Sequence, residues 1–374
     1  MDPIDSITPK KDSSLAMLLE AERRGAEIHY MLQGDLRLVA GETVSPSDRE
    51  AFVNSPAVDL WRRSLKPNAP TTTNISNWLD AAFATDEDAP TRGKANPNRR
   101  LLADSYRYSF GHRALVDSLL EDFRVRGACE LADRIDYWVA KDNLPADDPV
   151  VVFLPALSEI RIENDTLLVD TGTLVAGGVD QAVDQIASLI YRNRQVIDGE
   201  NPSQTEGGVS VANAFRVSVN EGLAGWIARN PETEFRDDHP RLGSIKVVPE
   251  TFYHAARRVL DYGGKLFPDI MDDPAAMEER GRSFTNFMTG QNAYGSLGYA
   301  MASVIVAHGS EDKLREAGRS VPGFLAAYQE AAAANPVPAP EPGAAGTELY
   351  QTMPPLEPAV FEGLMDLLRA TFPE

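Results

Sequence analysis

Residues 184–194 have the sequence DQIASLIYRNR, and residues 220–227 have the sequence NEGLAGWI. The first stretch predicts an amphipathic helix over Asp180–Arg194, whose polar side carries Ser188 and Arg192 one turn apart. Taken alone, this pattern is typical of a surface helix. These two stretches decide the expected fold, because each lies in a long helix and the rest of the predicted core is arranged around the two helices.

The second stretch lies in a helix predicted over Ser210–Arg229. Large apolar residues occupy one side of this helix, and the opposite side is a stripe of small residues rather than polar ones. Both sides are therefore expected to be buried, with the small stripe pressed against another helix. Glu221 lies within the stripe, and a carboxylate buried there needs a partner, because an unpaired buried charge is costly.

The middle of the chain predicts a small sheet. Val150–Leu154 is a short apolar run of the kind that forms a buried strand, and residues 160–162 and 167–170 predict a hairpin. Helical patterns dominate elsewhere, and one helix is predicted over Pro358–Thr371. The expected fold class is α+β, predominantly α-helical.

The predicted organisation has five parts. Residues 1–14 are a flexible N-terminus, residues 15–145 a mainly helical region, and residues 146–334 a core region with the sheet. Residues 335–348 form a proline-rich linker, and residues 349–374 contain the C-terminal helix.

Several segments resemble the gluzincin branch of the zinc peptidases. A strand, a hairpin, a helix and a later helix with Glu221-Gly222-Leu223-Ala224 follow one another in the same order as in those proteins. The likeness is closest to a bacterial family of zinc-dependent peptidases, and it covers roughly residues 140–332. The helix at Gly298-Tyr299-Ala300-Met301-Ala302 and the segment from Pro322 to Tyr328 also resemble that family.

The resemblance implies a zincin-like core that has lost its chemistry. In that family a His-Glu-x-x-His helix supplies two zinc ligands and a catalytic glutamate, and the later helix supplies the third ligand. Glu221 takes the third-ligand position, whereas Ser188, Leu189 and Arg192 stand where the two histidines and the glutamate belong. The resemblance therefore implies vestigial positions at these four residues, with no catalytic residue, no metal and no cofactor, zinc having been lost.

The resemblance implies that the protein is a pseudoenzyme, and the loss of the zinc ligands argues against enzymatic activity. The old cleft is expected to bind a peptide or protein, with Leu167–Asp170 as an edge strand available for pairing. Arg192 would place a fixed positive charge where zinc had been, so we expect an ion pair with Glu221 across less than about 4 Å.

Two alternatives come from the residues themselves. The first is a hydrolase of another class that uses Glu221, Glu159 or Asp170, with Arg192 as an electrostatic anchor. The second is a helical protein-interaction module without peptidase ancestry. The five histidines, which are His29, His112, His239, His254 and His308, form no local metal-binding pair.

Composition limits the partners. A formal charge of −20 argues against binding to nucleic acid and to anionic membranes. The one cysteine, Cys129, excludes an internal disulfide and is expected to be buried as a small apolar residue. No secretory signal and no apolar run long enough to span a membrane is visible, so a cytoplasmic location is expected.

Overall fold

A computed structural model describes the greater part of the chain. The described residues are 53–64, 74–75, 77, 108–109, 111–140, 150–154, 161–163, 166–194, 207–228, 236, 249–272, 274–291, 293–334, 336 and 347–372.

Helices predominate among these residues. The first half of the chain contains α1 (Pro56–Ser64), α2 (Arg113–Asp122), a π-helical turn (Phe123–Gly127), α3 (Ala128–Trp138), β1 (Val150–Leu154), β2 (Arg161–Glu163), β3 (Thr166–Asp170) and α4 (Thr171–Arg194). The second half contains α5 (Gly207–Ile227), α6 (Pro249–Asp272), α7 (Pro274–Gly290), α8 (Tyr294–Ala307), α9 (Glu311–Ala317), α10 (Val321–Ala334), a 3₁₀ helix (Thr347–Thr352) and α11 (Pro358–Thr371). The prediction of an α+β, mainly helical fold is confirmed.

The chain forms two compact units, and the division falls within α4 after Leu189. The first unit includes α1, α2, most of α3, the sheet and α4 up to Leu189. The second includes the last turn of α4, which begins at Ile190, and the helices from α5 onward. The five-part organisation drawn from the sequence stays a prediction.

The sheet of the first unit has three strands in the order β1-β3-β2. β3 pairs in parallel with β1 and antiparallel with β2, as the predicted hairpin requires. The expectation that Leu167–Asp170 is an edge strand is wrong, because both hydrogen-bonding sides of β3 are occupied. Leu167, Leu168 and Val169 are at most 1% exposed, so β3 has no free side for an added peptide strand.

α4 begins at Thr171, nine residues before the predicted start at Asp180. Asp170 ends β3, and its Oδ1 accepts a hydrogen bond of 3.1 Å from the backbone N–H of Gly172, which stabilises the first turn. The helix is broken at Gly178, whose φ of 76° lies in the left-handed region that favours glycine. The carbonyl of Ala176, before the break, accepts a hydrogen bond from the backbone N–H of Arg236 at 2.9 Å.

Residues 113–138 form one continuous helical stretch within the region that the sequence predicted to be mainly helical. The π-helical turn keeps the stretch helical through Gly127, which lies against the side chains of Phe123 and Val179. Cys129 is exposed, so the expectation of a buried cysteine is wrong. Cys129 lies two residues after the π-helical turn, on the exposed side of the helix.

The second unit is built around a close crossing of α5 and α8. A Cβ on Gly222 would overlap the backbone of Gly298, and a Cβ on Gly298 would overlap the carbonyl oxygen of Ser218. The prediction that the small-residue side of the second helix packs against another helix is confirmed. Beside the crossing, the ring of Tyr299 lies 5.8 Å from Trp226 and 5.4 Å from Tyr350, centroid to centroid.

The C-terminal helix α11 has the predicted bounds, with Pro358 in its first turn. Val360, Leu364, Met365 and Leu368 form its buried side, whereas Phe361 is partly exposed. The segment before it is fastened to α10, because the side chain of Gln329 both donates to the carbonyl of Leu356 and accepts from its N–H. Among the described residues, no helix is long and apolar enough to cross a membrane.

The α5–α8 crossing gives a stability prediction. We expect Gly298→Ala to lower the free energy of unfolding by about 1–3 kcal/mol, because the new methyl group forces the two helices apart. Gly264→Ala is the matched control: Gly264 is an exposed helical glycine with no atom within 4 Å of its Cβ position. The control is expected to gain about 0.5–1 kcal/mol. Equal effects of the two changes in urea unfolding would contradict this account.

Candidate functional site

Arg192 and Glu221 form the ion pair that the sequence predicted. Nη2 of Arg192, in the last turn of α4, lies 3.0 Å from Oε2 of Glu221 in α5. The two side chains are 44% and 35% exposed, so water reaches both groups. The pair is therefore held by weak, screened attraction rather than by burial, and it is readily opened.

The position of Glu221 follows from the helix crossing beside it. Gly222, the next residue, is in contact with the backbone of α8, which fixes the rotation of α5 about its axis. The part of α8 that faces Glu221 is Gly295, where a Cβ would meet only the Cβ and the carbonyl oxygen of Glu221, at 3.8 and 4.0 Å. Gly295 itself thus places no side chain beside Glu221.

The polar side of α4 is buried, contrary to the expected surface helix. Gln181, Asp184 and Ser188 are 1%, 3% and 4% exposed. The reason is pairing with another helix: Nε of Arg134, in α3, donates to Oδ1 of Asp184 at 3.0 Å. Ser188 is thus a buried residue and Leu189 a partly exposed one, in the first unit, whereas Arg192 and Glu221 lie in the second.

A second charged cluster surrounds Arg126 in the π-helical turn, and sequence reasoning did not find it. Arg126 donates to Asp122 at 3.0 and 3.1 Å, to Glu130 at 3.0 and 2.9 Å, and also to Asp180 of α4. These hydrogen bonds, above all the one to Asp180, raise the pKa of the guanidinium further above its usual range. The cluster joins the π-helical turn to α4 within the first unit, and its one cation is paired with three carboxylates.

Two asparagines on α5 also escaped the sequence interpretation. Asn213 is 8% exposed, and both Nδ2 and Oδ1 of its amide are enclosed without a hydrogen-bond partner. Oδ1 of Asn220 is enclosed in the same way. Burial of an amide without a hydrogen-bond partner is unfavourable, so these two positions are polar exceptions in a helix that is otherwise largely apolar. The polar residues of an otherwise apolar helix were the available signal.

The remaining candidates are scattered. Asp170 is buried, and its Oδ1 accepts from the backbone N–H of Gly172 at the start of α4. His112 is exposed, with its ring stacked on Tyr108 at 4.0 Å, and His254 is exposed on α6. His308 ends α8, and its Nε2 is enclosed without a partner. Other candidates lie outside the described residues, namely His29, Glu159 and His239.

Within the part of the chain that the structure describes, no three His, Cys, Asp or Glu side chains are grouped in a way that holds a metal ion. The absence of a cofactor stays a prediction of the sequence. We expect purified protein to contain less than one equivalent of zinc by elemental analysis. One equivalent that is lost on Glu221→Gln and kept on Glu362→Gln, an exposed control on α11, would contradict the expectation.

Comparison with known proteins finds similarity at the N-terminus. Residues 1–77 match the family described as prokaryotic glutathione synthetase, N-terminal domain. Helix α1 lies within this range and belongs to the same unit as the sheet. No solved structure matches the chain.

Individual relatives show the same similarity over a shorter length. Glutathione synthetase of Escherichia coli (strain K12) is 69% identical over 42 residues, which are 11% of this chain and 13% of that protein. Glutathione synthetase of Citrobacter rodentium is also 69% identical over 42 residues, with the same shares. That of Vibrio parahaemolyticus is 62% identical over 45 residues, or 12% of this chain and 14% of the relative. The chain thus spans only a small part of the length of these relatives.

These matches correct the identification made from the sequence. The gluzincin resemblance is wrong, because the family that matches is the N-terminal domain of glutathione synthetase. The pseudo-peptidase function is wrong with it, and neither a carboxylate hydrolase nor an interaction module agrees with the matching family. The ion pair between Arg192 and Glu221 is present in the structure. The interpretation of Arg192 as a replacement for zinc is wrong. The short motifs behind the gluzincin resemblance lie within residues 140–332. The family match lies in residues 1–77, whose first 14 residues the sequence predicted to be a flexible N-terminus.

The coupling energies of two inter-helix ion pairs, Arg192–Glu221 and Arg134–Asp184, are predicted to differ. A double-mutant cycle with Arg192→Met and Glu221→Gln is expected to give a coupling energy of about 0–1 kcal/mol, because both groups are hydrated. The matched cycle, Arg134→Met with Asp184→Asn, is expected to give about 1.5–3 kcal/mol, because the side chain of Asp184 is only 4% exposed. Unfolding by urea measures both, and a larger coupling for the exposed pair would reverse the ranking.

Proposed function

We propose that this protein takes part in glutathione synthesis through an N-terminal segment of the glutathione synthetase type. The observation that carries the proposal is the identity of 69% over 42 residues with glutathione synthetases, together with the family match over residues 1–77. Identity at this level over a continuous segment is far above that of unrelated chains, so it supports common descent for this part.

The described part of the matched segment supports the idea that the segment is built into the fold. Helix α1 contacts β1 and β2 of the sheet, and Val58 and Trp61 on this helix are 0% and 4% exposed. A segment that contributes core residues is a structural part of its unit rather than an appended tail. Helix α1, in the described part of the segment, is therefore a structural part of the first unit.

The proposal extends to the setting of the protein. Production of a small thiol peptide takes place where its amino-acid precursors and ATP are present, which favours the cytoplasm as the proposed location. The net charge of −20 disfavours nucleic acid as a partner. Because the relatives are matched over only 13–14% of their length, the two helical units would have to supply the remaining functions in a different way.

The proposal predicts glutathione formation by the purified full chain. The protein is incubated with the amino-acid precursors of glutathione and ATP, and the tripeptide is measured by mass spectrometry. Lys10→Ala with Lys11→Ala, inside the matched segment, is expected to lower the rate about tenfold, because these cations attract anionic substrates. Arg369→Ala, on the exposed side of α11 outside the segment, is the control and should leave the rate unchanged.

Two outcomes would reject the proposed function. The first is no glutathione above the level of a protein-free reaction. The second is formation that the lysine changes and the Arg369 control reduce equally, since the matched segment would then have no special part in it.

A further inference from the structure

We draw no further inference here: the strongest candidate, the partly exposed apolar face of α2 formed by Leu115, Val116, Leu119 and Leu120, carries none because nothing in the described part of the chain shows what covers it.

Discussion

The contact on which the second unit depends is the meeting of α5 and α8, backbone against backbone. Neither Gly222 nor Gly298 has room for a Cβ, so the two helices approach more closely than ordinary side chains allow. This closeness fixes the rotation of α5, and three consequences follow. Trp226 is turned toward Tyr299, Glu221 toward the last turn of α4, and Phe215 toward Phe267 and Phe284. A rotation of α5 by one residue would move all three.

The first unit depends on charge pairing where the second depends on close packing. Asp184, on the buried side of α4, is reached by Arg134 of α3, and Asp180 is reached by Arg126 from the π-helical turn. Both links join α4 to the continuous helical stretch at residues 113–138, and the link to Asp184 lies on the buried part of the polar side of α4. A helix with this composition is buried because its carboxylates find guanidinium groups, which lowers the cost of desolvation.

The similarity to glutathione synthetase and the α5–α8 crossing lie in different parts of the chain. The match covers residues 1–77, whereas the helix crossing and the enclosed asparagines lie beyond residue 207. Helix α1 is the described helix within the matched range, and it contacts the sheet of the first unit. The proposed function therefore rests on similarity at one end of the chain, whereas the close helix packing is observed at the other.

The sequence by itself determined the elements whose signals are local. Periodicity and turn residues predicted β1, the hairpin of β2 and β3, and the helix at Pro358–Thr371. The small-residue side of α5 predicted a close contact with another helix. The sequence also predicted the pairing of Arg192 with Glu221. Tertiary structure decided what depends on distant partners: that β3 is central, that the polar side of α4 is buried, and that Asn213 is enclosed without a partner. Burial is a property of what packs against a residue, so no local pattern contains it.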